Sequence, residues 1–485
     1  MRKWSSYQEK IFDTYENTRK NIAIEATAGA GKSSTIIECC KRTSPARKIL
    51  FMAFNKSIAE ELRGKLDPRI DVSTFHSKGL KVLFTNFRFQ LKLVENKTFQ
   101  MAKQILIIDD IPYKQQMRYL FELQDIWSFV RTGLLVGTAE EIEGICIEKE
   151  IEYRDRMVSD IKMISDEWEK RALRINGSKE FHMDFTDMLY LPYLLLEEKD
   201  FPKYDVVFVD ESQDINVLQR ELILYYKKER FGRLISVGDS RQNIYSFQGS
   251  NVSNFKSLQN LPNTEVLPLS ITYRCALNIV KEANKVFPNS ILPADDAIPG
   301  KVRSGDVMEA NEGDFILCRN NLPLVEAFIQ LLEHKKKASI KGKDFGEALC
   351  AILDKIDRLE DLDAILDKKI DELVEKGISA QTAINLPAYV NLEEKCTIIK
   401  RLYKLWANMA TLKSHIEEIF TEKTEGVVLS TIHKSKGLEA DKVFFLNANL
   451  IPSPHALSED ALYSEYCLKF VAITRARKEL IYCTI

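Results

Sequence analysis

The stretch Ile22-Ala23-Ile24-Glu25-Ala26-Thr27-Ala28-Gly29-Ala30-Gly31-Lys32-Ser33-Ser34 decides how the rest of the chain is read. A short apolar run with the texture of a buried strand passes into a glycine-bearing loop, and Lys32 opens what reads as a helix. Glycines let the backbone bend until its N–H groups face phosphate oxygens, and the helix N-terminus adds a favourable dipole. Lys32 places a point charge near the β- and γ-phosphates, and Ser33 offers a hydroxyl to Mg2+. The expected nucleotide cradle is Ala28, Gly29, Ala30, Gly31, Lys32, Ser33 and Ser34. The first position of the common G-x-x-x-x-G-K-[ST] form is Ala26 here, so the match is to a variant.

Downstream, Val206-Val207-Phe208-Val209-Asp210-Glu211 is a second apolar run, ending in two carboxylates. Ligands of open parallel sheets sit at the C-terminal ends of the strands, which is where these acids fall. Asp210 is expected to help hold magnesium, and Glu211 to orient and deprotonate an attacking water. An Asp-Glu pair after a strand is more often a helix cap. The glycine-rich loop upstream reverses that balance, and the pair of motifs implies that ATP or a related nucleotide is bound and cleaved.

Working outward, 485 residues are too many for one ordinary core. Further strand-like runs occur at Ile49–Ala53, Leu234–Gly238, Phe315–Cys318, Gly426–Ser430 and Lys442–Leu446, which implies two sheets. From about Phe87 to His182 and from about Lys341 to Glu422 the texture is helical and highly charged, and the charges read as solvated helix faces. The fold class expected is α/β: two parallel-sheet domains, each interrupted by a mainly helical insertion. The boundaries are 1–86 and 184–270 around an insertion at 87–183, then 271–340 and 423–485 around a smaller one at 341–422. The run Lys335-Lys336-Lys337, with Lys341 and Lys343, reads equally as a contact to duplex backbone or as a solvated turn.

The totals exclude several classes. No segment approaches the roughly 18 uninterrupted apolar residues of a membrane helix, and the first residues turn polar at once. A cytoplasmic location is expected, or a nuclear one in a eukaryotic host. The nine cysteines have no paired spacing and read as buried reduced thiols, and the six histidines do not cluster as zinc ligands. Net charge is −2, so any nucleic-acid path must be a local lining of basic and aromatic side chains.

The remaining motifs narrow the reading. Leu234 to Ser250, with Gly238-Asp239-Ser240-Arg241-Gln242-Asn243-Ile244-Tyr245-Ser246-Phe247-Gln248-Gly249, strongly resembles the GDxxQxIYxFxGA segment of UvrD-like helicases. Ser73-Thr74-Phe75-His76, Asp184-Phe185-Thr186-Asp187, Thr272-Tyr273-Arg274, Ser430 to Glu439 and Val471 to Arg477 match further segments of the UvrD/Rep/PcrA group of superfamily 1, in the family's order. The resemblance spans the chain from Gln8 onward. It implies two RecA-like motor domains and an ATP-dependent helicase that moves on single-stranded DNA 3′ to 5′ and opens single/double-strand junctions. It implies that Gln8 reads the adenine edge, Tyr273 stacks on the base, and Gly437 and Glu439 lie at the nucleotide, Glu439 near the ribose. Gln242 resembles the γ-phosphate sensor, and Arg274 and Arg475 the arginines that reach the γ-phosphate. Phe54, Asn55, Thr74, Phe75, His76, Tyr245, Phe247, Thr431 and His433 occupy segments that contact single-stranded DNA in the family.

The chain departs from the pattern in three places. Phe247 and Gln248 stand where the best-known members carry Trp and Arg, Ala53–Ser57 is one residue shorter than usual, and the second insertion is small. The end of the chain soon after Arg477 leaves no expectation of an appended nuclease or partner-binding tail. ATP and Mg2+ are the expected cofactors, the expected state is a monomer, and no loading partner is legible. The competing readings are a nucleotide-switched translocase that displaces proteins without efficient unwinding, and an RNA-directed motor.

Overall fold

Six short segments of the first 271 residues form one sheet: β1 (Asn21–Ala26), β2 (Ile49–Ala53), β3 (Asp71–Thr74), β4 (Val206–Val209), β5 (Arg233–Gly238) and β6 (Thr264–Leu269). Their order is β3-β2-β4-β5-β1-β6, and every neighbouring pair is parallel. The computed structural model describes residues 3–111, 113–149, 151, 153–244, 252–374, 379–384, 387–421, 425–454, 456 and 458–485. The chain divides into two units, Met1–Ile271 and Thr272–Ile485.

Side chains alternate across a pleated strand, and both faces of this sheet are covered. Ile49, Phe51, Val206 and Phe208 enter one core, while Leu50, Met52, Val207 and Val209 enter the core on the other face. That is why β2 and β4 are apolar at every position. The order also decides where chemistry can collect, because β4, β5 and β1 are neighbours and their C-terminal ends open side by side.

At the edge next to β2, Asp71 accepts from Lys78 Nζ at 2.6 Å and from Tyr204 Oη at 2.6 Å, with Lys78 only 1% exposed. Burial acts to raise the Asp71 pKa, but these two donors outweigh it and bring it down to about 2. A carboxylate whose folded pKa lies below its unfolded value stabilises above the unfolded value and loses that contribution as pH falls through the folded one. Acid unfolding is therefore expected to carry a component between pH about 4 and 2, absent in Asp71→Asn and read by circular dichroism.

Between helix Phe75–Asn86 and β4 the chain builds a helical module from Lys97–Ile105, Tyr113–Gly133, Ala139–Lys149 and Arg156–Ala172. Two short parallel strands, Leu91–Leu93 and Phe181–Met183, pair at its base. Its core holds Trp127 and Trp168, edge to face at 6.2 Å between centroids. Several charges read from the sequence as solvated are not. Lys97, Arg131 and Asp160 of the insertion are buried, and so is Asp187 just beyond it. Arg131 grips Asp184 with two bonds of 3.0 and 2.9 Å and reaches Asp187 at 2.5 Å. Asp187 also accepts from Lys97 Nζ at 2.6 Å and Trp168 Nε1 at 2.9 Å.

The second unit is a seven-stranded parallel sheet of β7 (Lys301–Ser304), β8 (Phe315–Cys318), β9 (Ala338–Lys341), β10 (Phe420–Thr421), β11 (Val427–Thr431), β12 (Ala440–Leu446) and β13 (Ala476–Cys483). The order is β7-β13-β12-β8-β11-β9-β10. Helices Lys343–Leu353, Asp361–Val374, Pro387–Trp406 and Met409–Ile419 lie between β9 and β10 in sequence. Leu349, Ile399, Leu402, Leu412 and Ile416 share one core with Ile316, Leu324 and Phe328, so these helices extend the core that helix Asn321–Glu333 builds against the sheet. Lys336 of the lysine run donates to the carbonyls of Met308 and Ala310 at 2.6 and 2.7 Å, and Lys337 pairs with Glu425 at 2.8 Å. All nine cysteines are buried and none is in a disulfide. Among the described residues no helix is long and apolar enough to cross a membrane.

Candidate active site

The loop after β1 closes on helix Lys32–Arg42, whose N-cap is Gly31 at φ 80°. An L side chain is strained in that left-handed region, so a glycine there is what the turn requires. Lys32 leaves the first turn of the helix and donates to Glu211 Oε2 at 2.7 Å. Burial works against the lysine charge, but the carboxylates of Glu211, Asp210 and Asp239 outweigh it and hold the Lys32 pKa above its ordinary value. Ser33 Oγ lies 3.4 Å from Asp210 Oδ2. Glu211 itself has φ 49°, an uncommon conformation for a residue with a side chain, of the kind that concentrates at working sites.

Asp210 is 3% exposed. Burial first, and the Glu211 charge second, push its pKa up to about 6, although Lys32, the Glu211 N–H and the Ser33 hydroxyl act the other way. A hydroxyl and a destabilised carboxylate side by side are hard oxygen donors of the kind magnesium takes, usually alongside waters and substrate phosphates. The residues present therefore fit Mg2+.

Asp239 follows β5 and is fully buried. It accepts from Gln242 Nε2 at 2.7 Å and from Arg241 Nε at 2.9 Å. Arg241 also donates to the carbonyl of Ala26 at 2.8 Å, tying this turn to the phosphate loop. Gln8 sits in a capping box of helix Ser6–Asn17 and is 2% exposed. Its Oε1 accepts from the Ser5 N–H at 3.1 Å and its Nε2 donates to Thr35 Oγ1 at 3.0 Å, so reading a base edge requires exchanging one of these partners.

The residues expected on the DNA path divide. Phe54 is exposed at 37%, and His76 is half-buried with its pKa lowered by burial. Phe75 is 3% exposed and packs in the core with Leu50 and Met52, so it offers no ring face for stacking. Asn55 and Thr74 spend their side chains as N-caps, accepting from Ile58 N–H at 2.9 Å and Ser77 N–H at 3.3 Å. Tyr245 and Phe247 lie outside the described residues. Phe185, to which the motif around Asp184 and Asp187 gives no role, is exposed at 49% and stands edge to face with His76 at 6.1 Å.

In the second unit three separated segments meet. Arg274 pairs with Glu439, Glu439 lies 3.6 Å from Arg477, and Arg475 donates to the carbonyls of Val471 and Leu438 at 3.1 and 3.2 Å. Tyr273 is 54% exposed, whereas Arg475 is 1% exposed. Gly437 has φ 86° and open space where a Cβ would stand. Thr431 ends β11 buried, and burial together with Arg319 lowers His433 to about 4, so its ring is neutral near pH 7.

A glycine-rich phosphate loop, an acidic pair after β4, one strand removed from β1 in the same parallel sheet, and a second parallel-sheet unit define a P-loop nucleotide-binding protein with two RecA-like domains. The chain belongs to the UvrD/Rep helicase family: residues 7–263 match the UvrD/REP helicase N-terminal domain and residues 228–485 the UvrD-like helicase C-terminal domain. F-box DNA helicase 1 of Gallus gallus is 24% identical over 529 residues, covering 99% of this chain and 50% of that relative. ATP-dependent DNA helicase Rep of Buchnera aphidicola subsp. Baizongia pistaciae is 25% identical over 347 residues, covering 67% and 48%. ATP-dependent DNA helicase PcrA of Bacillus subtilis is 27% identical over 307 residues, covering 57% and 39%. The chain thus spans about half the length of the first two of these relatives.

Proposed function

We propose that this chain is an ATP-driven motor that moves along single-stranded DNA, 3′ to 5′, and separates duplexes at single/double-strand junctions. The observation that carries the reading is the intact hydrolytic set of the first unit. Ser33 faces Asp210, Lys32 holds Glu211, and Gln242 is bonded to Asp239 at the end of the strand next to β1. Glu211 takes the proton of the attacking water, while Lys32 meets the charge that grows on the γ-phosphoryl oxygens. Ser33 and Asp210 would hold Mg2+, which would supply charge neutralisation for the bound phosphates. Arg274 and Arg475 are the arginines that complete the site from the second unit when ATP draws the domains together, with Tyr273 on the base and Glu439 beside the ribose. Opening after hydrolysis makes the cycle a ratchet on DNA, gripped through Phe54, His76, Tyr245, Phe247, Thr431 and His433. The motor works as a monomer.

The test is ATP hydrolysis with single-stranded DNA, with RNA, and with no nucleic acid. Stimulation by DNA is expected, and Arg475→Ala should lose about 10³-fold or more of the stimulated rate. Unwinding of 3′-tailed but not 5′-tailed duplexes is the expected polarity. A rate indifferent to every nucleic acid would sink the motor and leave a nucleotide switch. Stimulation without strand separation would favour a protein-displacing translocase.

A further inference from the structure

Glu211 Oε2 has two nitrogen donors at the same distance, Lys32 Nζ and Gln213 Nε2, both at 2.7 Å. Their fates differ in a motor of the proposed kind, and the role inferred for Gln213 rests on that reading. Lys32 is drawn to the phosphates when ATP enters, because a lysine beside a triphosphate meets more negative charge than one carboxylate provides. Gln213 has no such pull. It is fully buried, its amide N–H groups are divided between Glu211 and Asp214 Oδ2 at 3.0 Å, and its Oε1 accepts the Asp239 N–H at 2.9 Å.

The packing leaves this amide little freedom. A Cβ on Gly238 would come within 2.8 Å of Gln213 Oε1 and 3.0 Å of its backbone nitrogen, so the β5 end approaches the Gln213 loop as closely as a glycine permits. Asp239, whose N–H is held by Gln213, in turn holds Gln242 at 2.7 Å. A continuous set of bonds therefore runs Lys32, Glu211, Gln213, Asp239, Gln242.

We propose that Gln213 is a positioning residue for hydrolysis: it keeps Glu211 aimed once ATP removes Lys32, and it links that aim to the Asp239–Gln242 turn. In the nucleotide-free arrangement Lys32 neutralises the base, and ATP binding itself arms it. Displacement of the turn that carries Gln242 changes the Asp239 N–H to which Gln213 is anchored, and through it the direction of the Glu211 carboxylate. Residues 245 and 247, expected on the DNA path, come directly after that turn in sequence. Bound DNA thereby acquires a route to the base that needs no contact with the nucleotide.

The test is a double-mutant cycle on the full chain, with kcat and KM for ATP measured at saturating single-stranded DNA. Gln213→Ala is expected to lower kcat by about 10- to 100-fold, the scale of a misaimed group. KM and the affinity for a fluorescent ATP analogue should stay within about threefold, since uniform binding is not what is lost. Adding Gln213→Ala to Glu211→Gln should cost nothing further, because a residue that acts through another has no effect once that other is gone. A merely structural role predicts the opposite, losses that multiply in the double variant. Gln213→Glu keeps the volume and replaces the donor by an oxygen facing Glu211, so it carries the same comparison should the alanine variant not fold. Unchanged kcat in Gln213→Ala, a rise in KM alone, or multiplying losses would each overturn the role of Gln213. Full hydrolysis by Glu211→Gln would instead overturn the assignment of the base, and with it the reading on which this role rests.

Discussion

ATP hydrolysis stimulated by single-stranded DNA is expected to fall by about 10²- to 10³-fold in Lys32→Ala, on the scale measured when one donor to a developing oxyanion is removed. Two effects combine. The charge aimed at the γ-phosphoryl oxygens is lost, and Glu211 loses the ammonium that sits 2.7 Å from its Oε2. The second effect is confined to the nucleotide-free enzyme, because ATP itself draws Lys32 away from Glu211. The expected large loss therefore says that charge on the transferring group decides the rate. Lys32→Arg keeps the charge but not the point geometry, and it should recover little, because a planar fork does not fit a cradle of backbone N–H groups. Quenched-flow measurement of a single turnover separates the chemical step from nucleotide binding. A Lys32→Ala enzyme with wild-type single-turnover rate and only weaker ATP affinity would refute the role given to this lysine.

The parts of the site that were legible in the sequence are those whose chemistry is local. The phosphate loop needs Gly31 and Lys32 adjacent on the chain, and the acidic pair needs only a buried strand before it. β1, β2, β4, β5 and β8 were legible for the same reason, being short apolar runs covered on both faces. β6 was not, because Thr264-Glu265-Val266-Leu267-Pro268-Leu269 contains a proline and lies at the sheet edge, where a missing N–H is tolerated. β13 begins with Ala476-Arg477-Lys478-Glu479 and so reads as a charged motif, although its later residues pack between β7 and β12.

What escaped the sequence is whatever depends on which side of an element faces inward. Phe75 and Phe54 are both phenylalanines in segments matched to the family, yet one is core and the other exposed. Asn55 and Thr74 are residue types that cap helices and also residue types that bind phosphate, and only the turn after each shows the cap. Gln213 stands only two residues after Glu211 in the chain, but its anchor, the Asp239 N–H, is brought to it by the adjacency of β5 and β4 in the sheet.

The charges of the helical module were misread for a physical reason that sets the second large effect. Arg131→Met is expected to destabilise the first unit by about 3–5 kcal/mol, the cost of breaking a buried ion pair by removing one partner. Lys97 and Arg131 balance Asp184 and Asp187, with Arg131 1% and Asp187 0% exposed. Deleting one cation leaves a carboxylate in a place with no water to solvate it. Burial acts to raise the Asp187 pKa, yet Lys97 and Arg131 outweigh it and hold the group below the usual carboxylate range. Its contribution is thus present above the unfolded value of about 3.9 and drains away only as pH falls through the lower folded one. Arg131→Met removes that protection, so its stability deficit should be large at pH 7 and shrink in acid as Asp187 takes up a proton. Urea unfolding followed by tryptophan emission reads this directly, since Trp127 and Trp168 both lie in the affected core. A deficit under about 1 kcal/mol at pH 7 would place the four groups in contact with water, where an exposed pair contributes no more than that. The same network joins Asp184 and Asp187 to Arg131 across the root of the module. Helical propensity alone leaves the module's placement open, and these bonds join the apolar contacts of Leu83, Met188 and Leu191 with the module's core in holding it.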